Sequence, residues 1–232
     1  MPKPPAVLLP GTGSDDVFVR SVFAGPLAAF GVSARTPAPP AGAAVTQGLL
    51  AALNEAAQDR PIVAGGISLG AHLAAEWAVR NPDRCAGLLL AMPAWCGDPG
   101  DAPASLAARA SADLVDAHGL DGALRHATAG VAPWLAAELD RAWRRHGDGL
   151  AVGLRVAAAH PAPALADLAR LEVPVGIAAC TDDPVHPLGV AHRWAGALPR
   201  ATLQETTLHA LGEDRESLGR AALLGWLRAR DR

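Results

Sequence analysis

The chain has 232 residues, of which 50% are hydrophobic and 19% charged, and its formal net charge is −3. That length suits one large α/β domain whose core needs no disulfide or metal, and the balance fits neither a disordered chain nor a nucleic-acid binder with a basic face. Cys85, Cys96 and Cys180 form no C-x-x-C pair, and an odd number of cysteines argues against a disulfide framework and for a reducing compartment.

In chain order, Met1-Pro2-Lys3-Pro4-Pro5 leads into a short apolar run ended by Pro10. It lacks the apolar stretch and small-residue cleavage site of a secretory leader. Gly, Pro, Arg or Asp interrupts every candidate for the roughly 20 apolar residues that a membrane span needs, so a soluble cytoplasmic product is expected. Short apolar runs predict strands at residues 6–9, 32–36, 62–65, 86–91, 173–179 and 201–205. Helix-compatible stretches lie between them at 17–30, 43–59, 69–80, 187–197 and 213–230. This alternation is the pattern of an α/β protein with a mostly parallel central sheet covered by helices on both faces.

The alternation stops over residues 92–171, which contain no convincing strand and read as an inserted helical cap. Its first helix is expected over 103–117. A second is marked by Pro133 at its start, by Leu135, Leu139 and Trp143 on one face, and by Arg144-Arg145-His146 before Gly147 at its end. A third runs over 149–159, ahead of Pro161 and Pro163. The expected division is therefore a core made of residues 1–91 and 172–232 and a cap of 92–171.

Gly66-Ile67-Ser68-Leu69-Gly70 lies between the run Ile62-Val63-Ala64 and a helix, where G-x-S-x-G is the pattern of a nucleophile elbow. The tight turn requires residues of almost no side chain around the serine, and Gly66, Gly70 and Ala71 supply them. A nucleophilic serine needs a base, an acid to orient that base, and amide donors for an oxyanion. Acid candidates follow the strand at 173–179, in Cys180-Thr181-Asp182-Asp183-Pro184-Val185-His186-Pro187. A histidine follows the strand at 201–205, in Thr206-Thr207-Leu208-His209-Ala210. The chain order is then Ser, Asp, His. Asp182, Asp183, His186 and His192 cluster, but at no metal-binding spacing.

On these residues the chain resembles the α/β-hydrolase superfamily over most of its length outside 92–171. Gly65 to Ala71, the following Ala74-Ala75-Glu76-Trp77-Ala78 and Asn81-Pro82-Asp83-Arg84 look like that family's elbow, the helix behind it and the lead-in to the next strand. The resemblance implies Ser68 as nucleophile, Asp183 as acid, since it lies four residues before a proline, and His209 as base, since it alone of eight histidines falls between the last strand and the last helix. Asp182 is the neighbouring alternative, and Asp98, after the strand that follows the elbow strand, is a third. The family's first loop carries an oxyanion amide after a His-Gly pair. Here Pro10 replaces that histidine, which leaves the Thr12 and Leu69 amides as the two donors. Gly11-Thr12-Gly13 is a poor dinucleotide loop, because Asp16 stands where the third glycine should be.

The expected activity is hydrolysis of a carboxylic ester of a small, largely apolar substrate, with Met92, Trp95, Trp134 and Leu135 near its binding site. Thioester hydrolysis comes next, then lactone or carbon–carbon bond hydrolysis. A non-catalytic binding protein on the same fold is the reading from another class, and it requires a triad that is absent or misplaced. No metal, organic cofactor, nucleic acid or membrane is expected as a partner.

Overall fold

Apolar runs too short for a helix and unbroken by polar side chains need strand neighbours on both edges and cover on both faces. The computed structural model, which describes residues 3–231, provides both in a six-stranded sheet. Met1 and Pro2, on which the expectation about a secretory leader falls, and Arg232 lie outside the described residues. The strands are β1 (Ala6–Leu9), β2 (Ala34–Arg35), β3 (Ile62–Ile67), β4 (Cys85–Ala91), β5 (Val175–Cys180) and β6 (Ala201–Thr206). Their spatial order is β2-β1-β3-β4-β5-β6, and every adjacent pair is parallel. β2 is only two residues long, against five expected, because Pro37, Pro39 and Pro40 follow and cannot donate to a ladder.

The helices are α1 (Asp16–Ala29), α2 (Val45–Ala56), α3 (Leu69–Arg80), α4 (Pro103–Ala127), α5 (Pro133–His146), α6 (Leu150–Ala159), α7 (Leu165–Leu168), α8 (Leu188–Ala197), α9 (Leu208–Glu213) and α10 (Glu216–Arg230). Alternate residues of each strand go to opposite faces. Val7, Leu9, Leu88, Leu90 and Ile177 pack against Leu49 and Leu53 of α2, Leu73 and Trp77 of α3, and Val190 and Trp194 of α8. Leu8, Val63, Leu89 and Ala178 pack against Val22 and Phe23 of α1 and against Leu218, Ala222 and Trp226 of α10. Each such large apolar side chain, fully buried, contributes roughly 1.5–3 kcal/mol.

The last helix, expected over 213–230, is α10, and the short α9 precedes it. Thr207 caps α9 by accepting from the Ala210 N–H at 2.9 Å, and Asp214 starts α10 by accepting from the Glu216 N–H at 2.9 Å. No strand occurs between Ala91 and Val175. In that interval α4 continues past the expected end through a break at Gly119, whose φ of 66° and ψ of 175° leave the helical region. Ala112, Ala123 and Leu124 of α4, Trp143 of α5, and Leu150, Ala151 and Leu154 of α6 share a third apolar cluster. The far end of the interval joins the main core instead, through Ala157, Ala162, Leu168 and Leu171. Among the described residues no helix is long and apolar enough to cross a membrane.

Candidate active site

From β1 the chain goes to β2 on one side and then to β3 on the other, so the strand order reverses between β1 and β3. Crevices at the carboxyl ends of strands beside such a switch point are where open α/β sheets bind ligands. The Gly-x-Ser-x-Gly segment leaves β3 there, pressed against the end of β1. A Cβ on Gly70 would lie 2.2 Å from the Leu9 carbonyl oxygen, and one on Gly66 would lie 2.4 Å from the same atom. Both positions therefore require glycine for space.

Ser68 sits between β3 and α3 with φ 55° and ψ −114°. A non-glycine residue at positive φ costs on the order of 1–3 kcal/mol and persists only where its surroundings impose it. Here the imposing contacts are the Ser68 N–H on the Ala91 carbonyl at 2.9 Å, and the His72 N–H on the Ser68 carbonyl at 3.1 Å. The strained turn presents the hydroxyl at the sheet edge while the residue as a whole is only 7% exposed.

That hydroxyl meets His186. Ser68 Oγ is 3.0 Å from His186 Nε2, and His186 Nδ1 is 2.7 Å from Asp183 Oδ2. Ionised, the carboxylate can only accept, so Nδ1 carries the proton and Nε2 is free to accept from the serine. Asp183 Oδ1 accepts from the backbone N–H groups of Val185, at 2.7 Å, and of His186, at 3.1 Å. Burial would raise the Asp183 carboxyl, but the hydrogen bond and charge of His186 and the two amide donors outweigh it and hold the carboxyl below its ordinary value. The Asp183 and His186 side chains are 5% and 15% exposed, so water competes weakly for these bonds.

The resemblance implies His209 as the partner of Ser68; the structure puts His186 there. Thr207 caps α9 immediately after β6, so His209 falls in the first turn of a short helix and is exposed. Asp182 accepts instead from the Leu208 N–H at 2.6 Å, tying the loop after β5 to the start of α9. Asp98 is exposed in a bend. The signal for His186 was local. An Asp-Pro turn whose carboxylate accepts from the amides two and three residues on brings the side chain at the third position over that same carboxylate.

Thr12 and Leu69, the expected oxyanion donors, lie on the loop after β1 and at the first position of α3. Gly11 backs onto the elbow, since a Cβ there would lie 3.4 Å from Ser68 Cβ, and Leu69 opens α3. Among the described residues neither the Thr12 nor the Leu69 N–H donates to another protein group. Met92 and Trp95 are core residues. Met92, at φ 50°, donates from its N–H to the Ala178 carbonyl at 2.7 Å. Trp95 packs edge-on to the His72 ring at 4.5 Å, and its carbonyl accepts from Trp194 Nε1 at 3.0 Å. His72 is wholly buried, accepts from the Ala94 N–H at 2.9 Å, and is pushed down to about 3 by burial and then by the nearby His186 and His160. Trp134 stacks on Phe18 with ring centres 6.5 Å apart and lies under the Arg215 guanidinium at 4.4 Å. No group of three or more His, Cys, Asp or Glu residues among those described is arranged to hold a metal ion.

The loop after β1 is held from above by α5. Arg141 donates to Asp15 through Nε at 2.9 Å and Nη2 at 2.8 Å, and also pairs with Glu138. Arg145 pairs with Asp16 at 2.7 Å. His146 Nε2 donates to the Ser14 carbonyl at 2.9 Å. Asp15 is 1% exposed and also caps α1, accepting from the Phe18 N–H at 3.0 Å. Burial would raise its carboxyl, but Arg141, the Phe18 amide and the Arg145 charge hold it below its ordinary value.

A parallel sheet with a strained serine turn at its switch point, backed by a histidine and a carboxylate, defines the class of α/β folds built around a nucleophile elbow. No protein-family model matches the sequence, and no curated protein does. Solved structures do. A carboxylesterase structure from the thaumarchaeon Nitrososphaera gargenis superposes with a TM-score of 0.76 at 12% identity, covering 99% of this chain and 92% of that one. The enol-lactonase of Burkholderia xenovorans LB400 does so at 0.72 and 17%, covering 97% and 92%. A thermophilic esterase from Thermogutta terrifontis gives 0.70 and 19%, covering 97% and 90%. The chain has the α/β-hydrolase fold.

Proposed function

We propose that the protein is a serine hydrolase that cleaves a carboxylic ester of a small, largely apolar substrate through an acyl-enzyme on Ser68. The observation that carries this reading is the hydrogen-bond series from Ser68 Oγ to His186 to Asp183, at 3.0 and 2.7 Å. Ser68 attacks the carbonyl carbon as its proton passes to His186 Nε2, and Asp183 holds the ring and stabilises the imidazolium. The Thr12 and Leu69 amides receive the oxyanion, Leu69 with the added field of the α3 N-terminus. The tetrahedral adduct collapses, the bond to the leaving oxygen breaks, and His186 returns the proton to that oxygen. Water, deprotonated by His186, then attacks the acyl-enzyme in the same way and frees the acid and Ser68.

In this reading residues 92–171 act as the cap over the site, with Met92 and Trp95 supporting its floor. Thioesters, lactones and carbon–carbon bonds are open to the same groups, and esters rank first because two of the structures on which the chain superposes are those of esterases. A non-catalytic role would not require an acid and base joined to a strained serine. The test is covalent labelling by a serine-directed fluorophosphonate, followed by turnover of p-nitrophenyl esters and acyl-coenzyme A thioesters of graded length. Labelling is expected in the parent and in His209→Ala, and not in Ser68→Ala or His186→Ala. An unlabelled parent overturns the hydrolase reading, and an inactive His209→Ala beside an active His186→Ala overturns the choice of base.

A further inference from the structure

Three side chains of α5 close on three consecutive residues of the loop after β1. Trp143 lies over Gly13, where a Cβ would meet its Nε1 at 3.2 Å; His146 donates to the Ser14 carbonyl; and Arg141 grips the Asp15 carboxylate with two bonds. The loop has few anchors of its own. Thr12 is flanked by Gly11 and Gly13, the second at φ +65°, and one turn bond, from the Ser14 N–H to the Gly11 carbonyl at 3.1 Å, spans it. Pro10, just before it, has no backbone N–H to add an anchor.

A bidentate guanidinium–carboxylate pair fixes rotation as well as distance, which a lysine ammonium does not. The Asp15 side chain is buried and also caps α1, so Arg141 locks the end of the loop to a helix of the core and to a helix of the 92–171 interval together. We propose that Arg141 is a positioning residue: through Asp15 it sets the Thr12 amide in line with the carbonyl attacked by Ser68. The steadying element thus comes from the helical interval, not from the loop. This role rests on the hydrolase reading above.

The experiment compares the parent with Arg141→Lys, which keeps the charge and loses the fork, and with Arg141→Ala. The measurements are kcat and KM on p-nitrophenyl acetate, fluorophosphonate labelling, circular dichroism, and amide hydrogen exchange of residues 10–15. The expected result for Arg141→Lys is an unchanged fold, faster exchange at Thr12 to Asp15, and a kcat lower by about tenfold or more with KM within about twofold, as befits a donor that acts in the transition state. Unchanged kcat in folded Arg141→Lys, with the parent labelled, overturns this role alone. An unlabelled parent overturns the hydrolase reading and the role with it, while the exchange rates still report whether Arg141 holds the loop.

Discussion

The two loops that meet at Ser68 are built in opposite ways. After β5, Asp183 and His186 are three residues apart, and their turn is closed by the carboxylate's own bonds to the next amides. After β1, the loop that offers the Thr12 amide is gripped by side chains 126 and 132 residues away in sequence. In the proposed mechanism the acid–base half is thus encoded locally, and the oxyanion half depends on the docking of a distant helix. Damage to the first should abolish chemistry and spare the fold, whereas damage to the second should reach both.

The largest expected effects fall on the local half. Ser68→Ala and His186→Ala should each lower kcat by a factor on the order of 10⁴–10⁶ with little change in denaturation midpoint, because neither side chain carries a packing load. Asp183→Asn should cost about 10⁴, since an amide that turns its NH₂ toward Nδ1 favours the wrong tautomer of the imidazole. Asp182→Asn should have a small effect, as it weakens one bond to the Leu208 amide and costs about 1 kcal/mol in urea unfolding. If Asp182 proved the more damaging change, the assignment of the acid would fail.

The distant half is tested by stability. Arg141→Ala leaves a carboxylate that is 1% exposed with only the Phe18 amide and the more distant Arg145, and should cost about 1–3 kcal/mol in denaturant unfolding at neutral pH. The folded-state pKa of Asp15 is depressed, so the pair's contribution is fully present above the ordinary carboxylate pKa and is lost as pH falls through the folded value. The gap in stability between parent and variant should therefore narrow below about pH 4. A gap that stayed constant through that range would mean that the Asp15–Arg141 pair is not what separates the two proteins. The smallest expected effect is that of His209→Ala, within about twofold in kcat, as suits an exposed residue, Ser68 being bonded to His186 instead.

The same contrast explains what could be read from the sequence. Buried parallel strands announce themselves as apolar runs, and β1, α3 and α5 fall at their expected bounds. The elbow was legible because Gly66 and Gly70 are demanded by contacts with Leu9 that accompany any turn of this kind. Asp183, which bonds His186 in the structure, is the aspartate that the resemblance singles out by its register before Pro187. His186 was not chosen because the resemblance looks for the base after the last strand, and only the bonds of the Asp183 turn show that the residue three positions on can serve. The Arg141–Asp15 pair was invisible for a plainer reason. Nothing in the neighbourhood of either residue records a partner more than a hundred positions away, and arginines at the end of a helix are ordinary complements to its dipole.

The compactness of Asp183-Pro184-Val185-His186 has a consequence for how such a site could be moved. An acid and a base that orient each other within one turn form a cassette, and grafting its acid–base half onto another sheet of this kind calls for a strand end at the right distance from a serine that already has its oxyanion donors. In the proposed mechanism the chain from Thr207 onward supplies no reacting group, and its tie to the site is the Leu208 N–H on Asp182, a backbone bond that leaves the side chains there free to vary.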